Sequence, residues 1–155
     1  MDAYQRVLIP AIVLNGLLAG LYFAFACAVS PALGRLDART YVDSFRSINA
    51  VILNGWFLTP FFLAPVAAVL AVILGGGTYH AAWGWVVAGA VCAVLTWVIT
   101  MVANAPLNQG LAMAPTLTDQ DFEAARQTFE AAWNRWNLVR TVTGIGAMGL
   151  LAVAG

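Results

Sequence analysis

Residues 133–141 read WNRWNLVRT, and the run VTGIGAMGLLAVAG follows over residues 142–155. That run is too short to cross a bilayer alone, because a hydrocarbon core of roughly 30 Å takes about 20 helical residues at ~1.5 Å each. A spanning helix at this end must therefore draw Asn137, Arg140 and Thr141 into or against the hydrocarbon. An ionisable group at such depth is costly and usually functional, facing a bundle interior or a wet cavity. Arg140 lies one turn beyond Trp136 and three residues beyond Asn137, with apolar sequence after it, so a functional or buried-network role is expected of it. Arg135 is expected to be solvated or to snorkel.

Working outward, the composition fits a single membrane-embedded unit over residues 1–155. Hydrophobic residues make up 62% of the chain and charged residues 9%, with a mean hydropathy of +0.83, whereas a soluble domain carries about 25% charged residues. All seven basic residues are arginine. Zero net charge and the absence of a basic run exclude nucleic acid as a partner. Cys27 and Cys92 sit in apolar runs, where cysteine acts as a small hydrophobe, and with one histidine they form no metal-ligand pattern. The first apolar run, residues 7–29, far exceeds the about 7–15 residues of a secretory signal core and reads as a retained transmembrane helix.

Charges and breakers divide the rest. Span one covers residues 7–29 and is expected to stop near Ser30-Pro31, since proline disfavours helix in its predecessor. Between Arg46 and Asp119 there is no formal charge, and the cluster at residues 75–80 splits that interval into spans 53–75 and 82–104. His80 is expected in the connecting loop. Asn54-Gly55 reads as a helix break and Asn108 as a cap, while Pro60 and Pro65 could interrupt span two. Thr118 and Asp121 have capping-box spacing, with Asp in place of Glu or Gln. They open one long helix over residues 119–153 that projects from the membrane at its start and spans over residues 137–154. Between spans one and two, Tyr41, Phe45, Ile48 and Ile52 form a helical apolar stripe with Arg39, Asp43 and Arg46 off it, the pattern of an interfacial helix within residues 32–50. The fold class is therefore all-α, a four-helix transmembrane bundle with that interfacial helix. Gly16 and Gly20, and the stripe Ala88, Cys92, Thr96 and Thr100, are expected packing faces. Arginine counts place the 1–2 and 3–4 connections in the cytoplasm and the termini outside, in a bacterial inner (plasma) membrane.

The polar groups at membrane depth gather at one level. Asn49 and Asn54 stand at the start of span two, Asn104 and Asn108 at the end of span three, and Asn134, Arg135, Asn137 and Arg140 at the start of span four. Convergence of this kind marks the mouth of a pocket. Taken singly, Trp56, Trp83, Trp85, Trp133 and Trp136 each read as interface anchors. No carboxylate lies within a span, and there is no catalytic triad or phosphate-binding loop. Amide and guanidinium donors in a water-poor aromatic site stabilise negative charge developing on oxygen, which suits a flat lipophilic substrate that forms an enolate or phenolate. Proton abstraction falls to Asp43 or to water.

These residues resemble the DUF1772 family, small membrane proteins grouped with the anthrone oxygenases. The resemblance rests on GLLAGLYFAFACAVSP (residues 16–31), Ser47-Ile48-Asn49, NAPLN (residues 104–108) and WNRWNLVRT. It implies a four-helix membrane bundle and an oxygenation by O2 without metal or flavin, so no cofactor; in fungal members an anthrone becomes an anthraquinone. Carried onto this chain, Arg140, Asn137, Asn104 and Asn108 form the catalytic set, with Arg140 holding the anionic oxygen. Asn49, Trp133, Trp136 and Phe45 contact the substrate. The expected partners are the bilayer and a lipophilic small molecule, with room for an oligomer. A non-enzymatic membrane protein remains the alternative: a small-molecule binder, a transporter component or an assembly partner. Convergence of Asn104, Asn108, Asn137 and Arg140 on a void separates the readings.

Overall fold

The computed structural model describes residues 2–76 and 80–155, with only the backbone of residues 80 and 81. Helix α1 runs Ala3–Leu33. It passes Ser30-Pro31, where the sequence reading ended it, because Phe25–Val29 form a π turn in which the Ser30 N–H reaches back to the Phe25 carbonyl. The extra residue relieves the crowding of the proline ring against the preceding turn. Helix α2 is Ala38–Ile52; Asp37 caps it, accepting from the Thr40 N–H. The Thr40 hydroxyl donates to the same carboxylate, and these donors hold Asp37 below the usual carboxylate pKa. Helix α3 is Gly55–Gly75, capped by Asn54 and continuous through Pro60 and Pro65. Helix α4 begins at His80, so the backbone there is the first residue of the helix and not part of the connecting loop that the turn-forming cluster suggested. At Thr100–Asn104 a second π turn, with the Ala105 N–H on the Thr100 carbonyl, carries α4 past Pro106 to Met113, beyond the boundary at residue 104. Helix α5 spans Asp119–Val153, opened by the Thr118–Asp121 capping box that the spacing indicates.

The four long helices pack in a closed ring in chain order, α1 on α3, α3 on α4, α4 on α5 and α5 back on α1. Each is long and apolar enough to cross a membrane, and among the described residues there is no strand. The protein is an all-α bundle and an integral membrane protein.

Three apolar clusters fill it. One is built largely of alanines, including Ala11, Ala68, Ala71, Ala90, Ala93 and Ala147, around Leu8, Val86 and Leu151. A small middle cluster holds Leu18, Tyr22, Phe61 and Ala64. The third joins Phe25 of α1 and Tyr41, Val42 and Phe45 of α2 to Phe122, Phe129 and Trp133 of α5. The close approach of α1 and α5 falls at Ala19 and Gly144, where a Cβ on Gly144 would meet the Ala19 Cα at 3.3 Å. Of the Gly16/Gly20 pair only the first packs: a Cβ on Gly16 would meet Met148 Sδ at 3.1 Å, whereas Gly20 is exposed with nothing within 4 Å. The α4 stripe does pack: Thr96 Oγ1 bonds Thr143 Oγ1 at 2.7 Å.

Arginines tie the connections down. The Arg46 guanidinium donates to the Leu111 and Ala114 carbonyls and to Thr116. It therefore satisfies the C-terminal end of α4, where the helix dipole favours a cation. Arg126 bridges from Glu130 to the Gly34 and Leu36 carbonyls. Arginines held in this way carry less information about orientation than free ones.

Candidate functional site

Arg140 is inside the bundle, with 5% of its surface exposed. Its Nη2 donates to Asn137 Oδ1 at 2.8 Å and Nη1 reaches Thr100 Oγ1 at 3.5 Å. Its Nε has no partner. The guanidinium carbon lies 4.3 Å from the Tyr22 ring centroid and 5.4 Å from that of Trp133. The ion pairs formed among the described residues, Arg39–Asp119 and Arg126–Glu130, are elsewhere. Arg140 is thus a buried cation neighboured by amide, hydroxyl and aromatic faces, without a carboxylate. Helix α5 ends at Val153, about 20 Å further along at ~1.5 Å per residue. With Val153 set at the far boundary of an apolar core of roughly 30 Å, Arg140 lies about 10 Å inside the nearer one.

The two π turns set up this environment. Asn137 Nδ2 donates to the Tyr22 carbonyl at 3.1 Å, just before the first π turn. Thr100, first residue of the second, presents its hydroxyl to Arg140 while donating to the Thr96 carbonyl. Asn137 thereby fixes both α1 and the guanidinium. The Tyr22 hydroxyl sits beside Thr100 without a well-formed hydrogen bond. Tyr22 and Thr100 join the site from positions that the sequence does not mark as functional; the one signal is a tyrosine hydroxyl in the middle of an apolar span.

A cavity of about 190 Å³ opens beside Arg140. Asn49, Asn108, Trp133, Tyr22, Thr100 and Arg140 line it together with apolar residues of α1, α2, α3 and α4. Trp133 is 4% exposed, its Nε1–H donating to Asn108 Oδ1 at 2.9 Å, so it is a core and cavity residue instead of an interface anchor. Asn108 lies within α4 and holds this indole; it caps no helix. Trp56, Trp83 and Trp85 are exposed, as anchors should be. Asn49 Nδ2, on the cavity, is buried without a partner.

The remaining candidates stand around this core. Asn137 is behind Arg140, against a crevice of about 460 Å³ shared with Ser30, Asn134 and Glu130. Asn104 is fully buried, its Nδ2 3.4 Å from the Trp133 carbonyl and its Oδ1 unpartnered. Phe45 packs edge-on against Trp133, with centroids 4.8 Å apart, and supports the cavity wall from behind. Trp136 faces a different, wider groove of about 720 Å³ between α4 and α5. Asp43 is exposed and is not among the residues lining the Arg140 cavity. Of the four residues expected to converge on a void, Arg140 and Asn108 line it, and Asn137 and Asn104 do not.

Behind Phe45, Tyr41 is 1% exposed beneath the Arg126 guanidinium, 4.6 Å from its ring. Burial pushes its hydroxyl above the ordinary tyrosine pKa, Glu130 adds to the rise, and Arg126 opposes it. Among the described residues no three His, Cys, Asp or Glu side chains gather to hold a metal ion.

Comparison with known proteins agrees with this picture at the level of the family. No curated protein and no solved structure matches the chain. The family model described as anthrone oxygenase matches residues 50–150, a stretch that contains both the 104–108 and 133–141 motifs and excludes residues 16–31 and 47–49. The chain therefore belongs to the anthrone oxygenase (DUF1772) family.

Proposed function

We propose that this protein is a membrane-embedded oxygenase that acts without a cofactor on a lipophilic aromatic ketone or quinol. In this reading Arg140 stabilises the anionic oxygen formed when the substrate ionises. The observation that carries it is a buried guanidinium with no carboxylate partner and an unpartnered Nε, on a residue that lines a cavity. A buried charge without a counter-ion is expensive, and an anion formed in the cavity supplies that counter-ion. Preorganised donors in a water-poor site act most strongly where charge develops. Asn49 Nδ2, also unpartnered, offers a second donor, which suits a substrate with oxygens at two positions.

For an anthrone-type substrate the chemistry balances without another reactant: a ring CH2 and O2 give a ring C=O and one water. The ketone loses a proton from the CH2 to solvent water, and its oxygen becomes the anion that Arg140 holds. The electron-rich anion passes one electron to O2. The two radicals combine at carbon to form a peroxide. The peroxide takes back a proton from solvent, and its O–O bond then breaks as the remaining C–H proton leaves; that proton and the departing hydroxide make water beside the new C=O. Asn137 orients the guanidinium, and Trp133, held by Asn108, provides a flat wall. About 190 Å³ is below the ~300–1,000 Å³ of typical ligand sites. The cavity therefore takes a small ring system whole, or the reacting end of a larger one.

The test is O2 consumption by the purified protein in lipid with anthrone as substrate. Arg140→Ala should lower turnover by at least a hundredfold, the effect of losing an oxyanion donor; unchanged turnover in that variant contradicts the assignment. The small cavity also favours a second reading, a binder without turnover. Anthrone binding that depends on Arg140 but consumes no O2 would support it.

A further inference from the structure

The Arg140 cavity has walls of unequal character. Toward the bundle axis lie Tyr22, Thr100 and Trp133, all buried or nearly so. On the other side lie Leu53, Phe62 and Met101, with 66%, 49% and 44% of their surface exposed. Helices α3 and α4 are packed through Ala68, Ala71, Val86, Ala90 and Ala93 at one end, and Phe61 still meets Trp97, with centroids 6.4 Å apart. Past that contact the cavity separates Phe57 and Leu58 from Met101 and Ala105. Phe62 lies about 10 Å along α3 from its start at Gly55, at ~1.5 Å per residue. With Gly55 at the nearer boundary, this matches the depth reckoned for Arg140, inside an apolar core of roughly 30 Å.

We infer that the slot between α3 and α4 is the ligand's way in, and that it opens into the bilayer. The inference rests on reading the Arg140 site as one for a lipophilic ligand, and it narrows the ligand class. A compound arriving by this route must dissolve in the hydrocarbon, and so it is neutral on arrival and ionises only beside Arg140. Permanently charged analogues are shut out even though the guanidinium would attract them, because their path crosses hydrocarbon. Phe62 and Met101, one on each helix, form the jambs of the opening and set the width of what passes.

The test follows the route itself, using the full chain in lipid vesicles with Cys27 and Cys92 replaced by serine. Leu21→Cys puts a thiol on the cavity wall of α1, and Ile48→Cys puts one on the wall contributed by α2. The neutral aromatic reagent N-phenylmaleimide and the anionic reagent sulfonatoethyl methanethiosulfonate are each normalised to their rates with free cysteine in water. The maleimide should modify the cavity thiol at least tenfold faster than the anion does. Met101→Trp, which fills the slot, should slow the maleimide about tenfold, and Phe62→Ala should quicken it. Equal normalised rates for the two reagents, or indifference to Met101→Trp at both thiol positions, overturns the inference. Neither readout depends on turnover or on Arg140, so its failure leaves the anion-site reading standing. Loss of Arg140-dependent chemistry with an intact slot does the reverse.

Discussion

At one end of the bundle alanines set the distance between helices; at the other, phenylalanines and tryptophan do. Ala11, Ala68, Ala71, Ala90, Ala93 and Ala147 let the backbones close around Leu8 and Leu151. Phe25, Phe45, Phe129 and Trp133 hold α1, α2 and α5 apart, with ring centroids 4.6–6.4 Å from one another. The cavities of about 190, 460 and 720 Å³ lie at the aromatic end, and so do both π turns. Small side chains give van der Waals contact along a helix and leave no room. Bulky rings and re-aimed carbonyls leave hollows, and the polar side chains that could use a hollow are found there.

The contrast can be broken most severely at Phe45, which is fully buried against four other rings. Phe45→Ala should cost about 3–5 kcal/mol, read as a lower denaturation midpoint in detergent, and Trp133 fluorescence should report its loosened wall. Next comes the tight end: Gly144→Leu drives a side chain into Ala19 and should cost about 1–3 kcal/mol. Ala105→Leu, at the hollow end beside the slot, should leave stability within about 0.5 kcal/mol, as surface changes usually do. Equal losses at the two positions would erase the distinction. A smaller effect is expected outside both ends: Thr118→Ala removes one arm of the α5 capping box and should cost about 1 kcal/mol.

The smallest effect is confined to alkaline pH. Tyr41 has a raised folded-state pKa, so the stability linked to its neutral form is complete below the unfolded value of about 10 and fades as pH rises above it. Tyr41→Phe should therefore be more resistant than wild type to unfolding between pH 10 and 12. Parallel pH profiles would show that Tyr41 ionises freely.

Features set by neighbouring residues were legible in the sequence. The Thr118–Asp121 box, the break at Asn54-Gly55 and the Tyr41/Phe45 stripe each depend on residues within a turn or two. The end of α1 at Ser30-Pro31 is not where the sequence puts it, because a proline normally forbids the preceding turn and nothing local announces a π turn that accommodates it. Trp133 and Trp136 are equivalent as neighbours of a span end, yet one is sealed against Asn108 and the other faces a separate groove. Which way each points depends on where α2 and α4 lie, through pairings of residues far apart in the chain such as Asn137 with Tyr22. Arg140 was found because an arginine within an apolar run is conspicuous by itself. Its companions Tyr22 and Thr100 were inconspicuous until the helices were assembled.

The central claim is that Arg140 is held for a ligand and contributes little to the empty fold, and Arg140→Met tests it directly. Removing an uncompensated buried charge should stabilise by about 1–4 kcal/mol, while orphaning Asn137 Oδ1 should cost about 1–3 kcal/mol. These effects nearly cancel. The measurement is the denaturation midpoint of wild type and variant in lipid, with and without saturating anthrone. The account predicts ligand-free midpoints equivalent to within about 1 kcal/mol, with anthrone raising that of wild type alone. A variant that loses about 3–5 kcal/mol without ligand, or that still gains stability from anthrone, contradicts it.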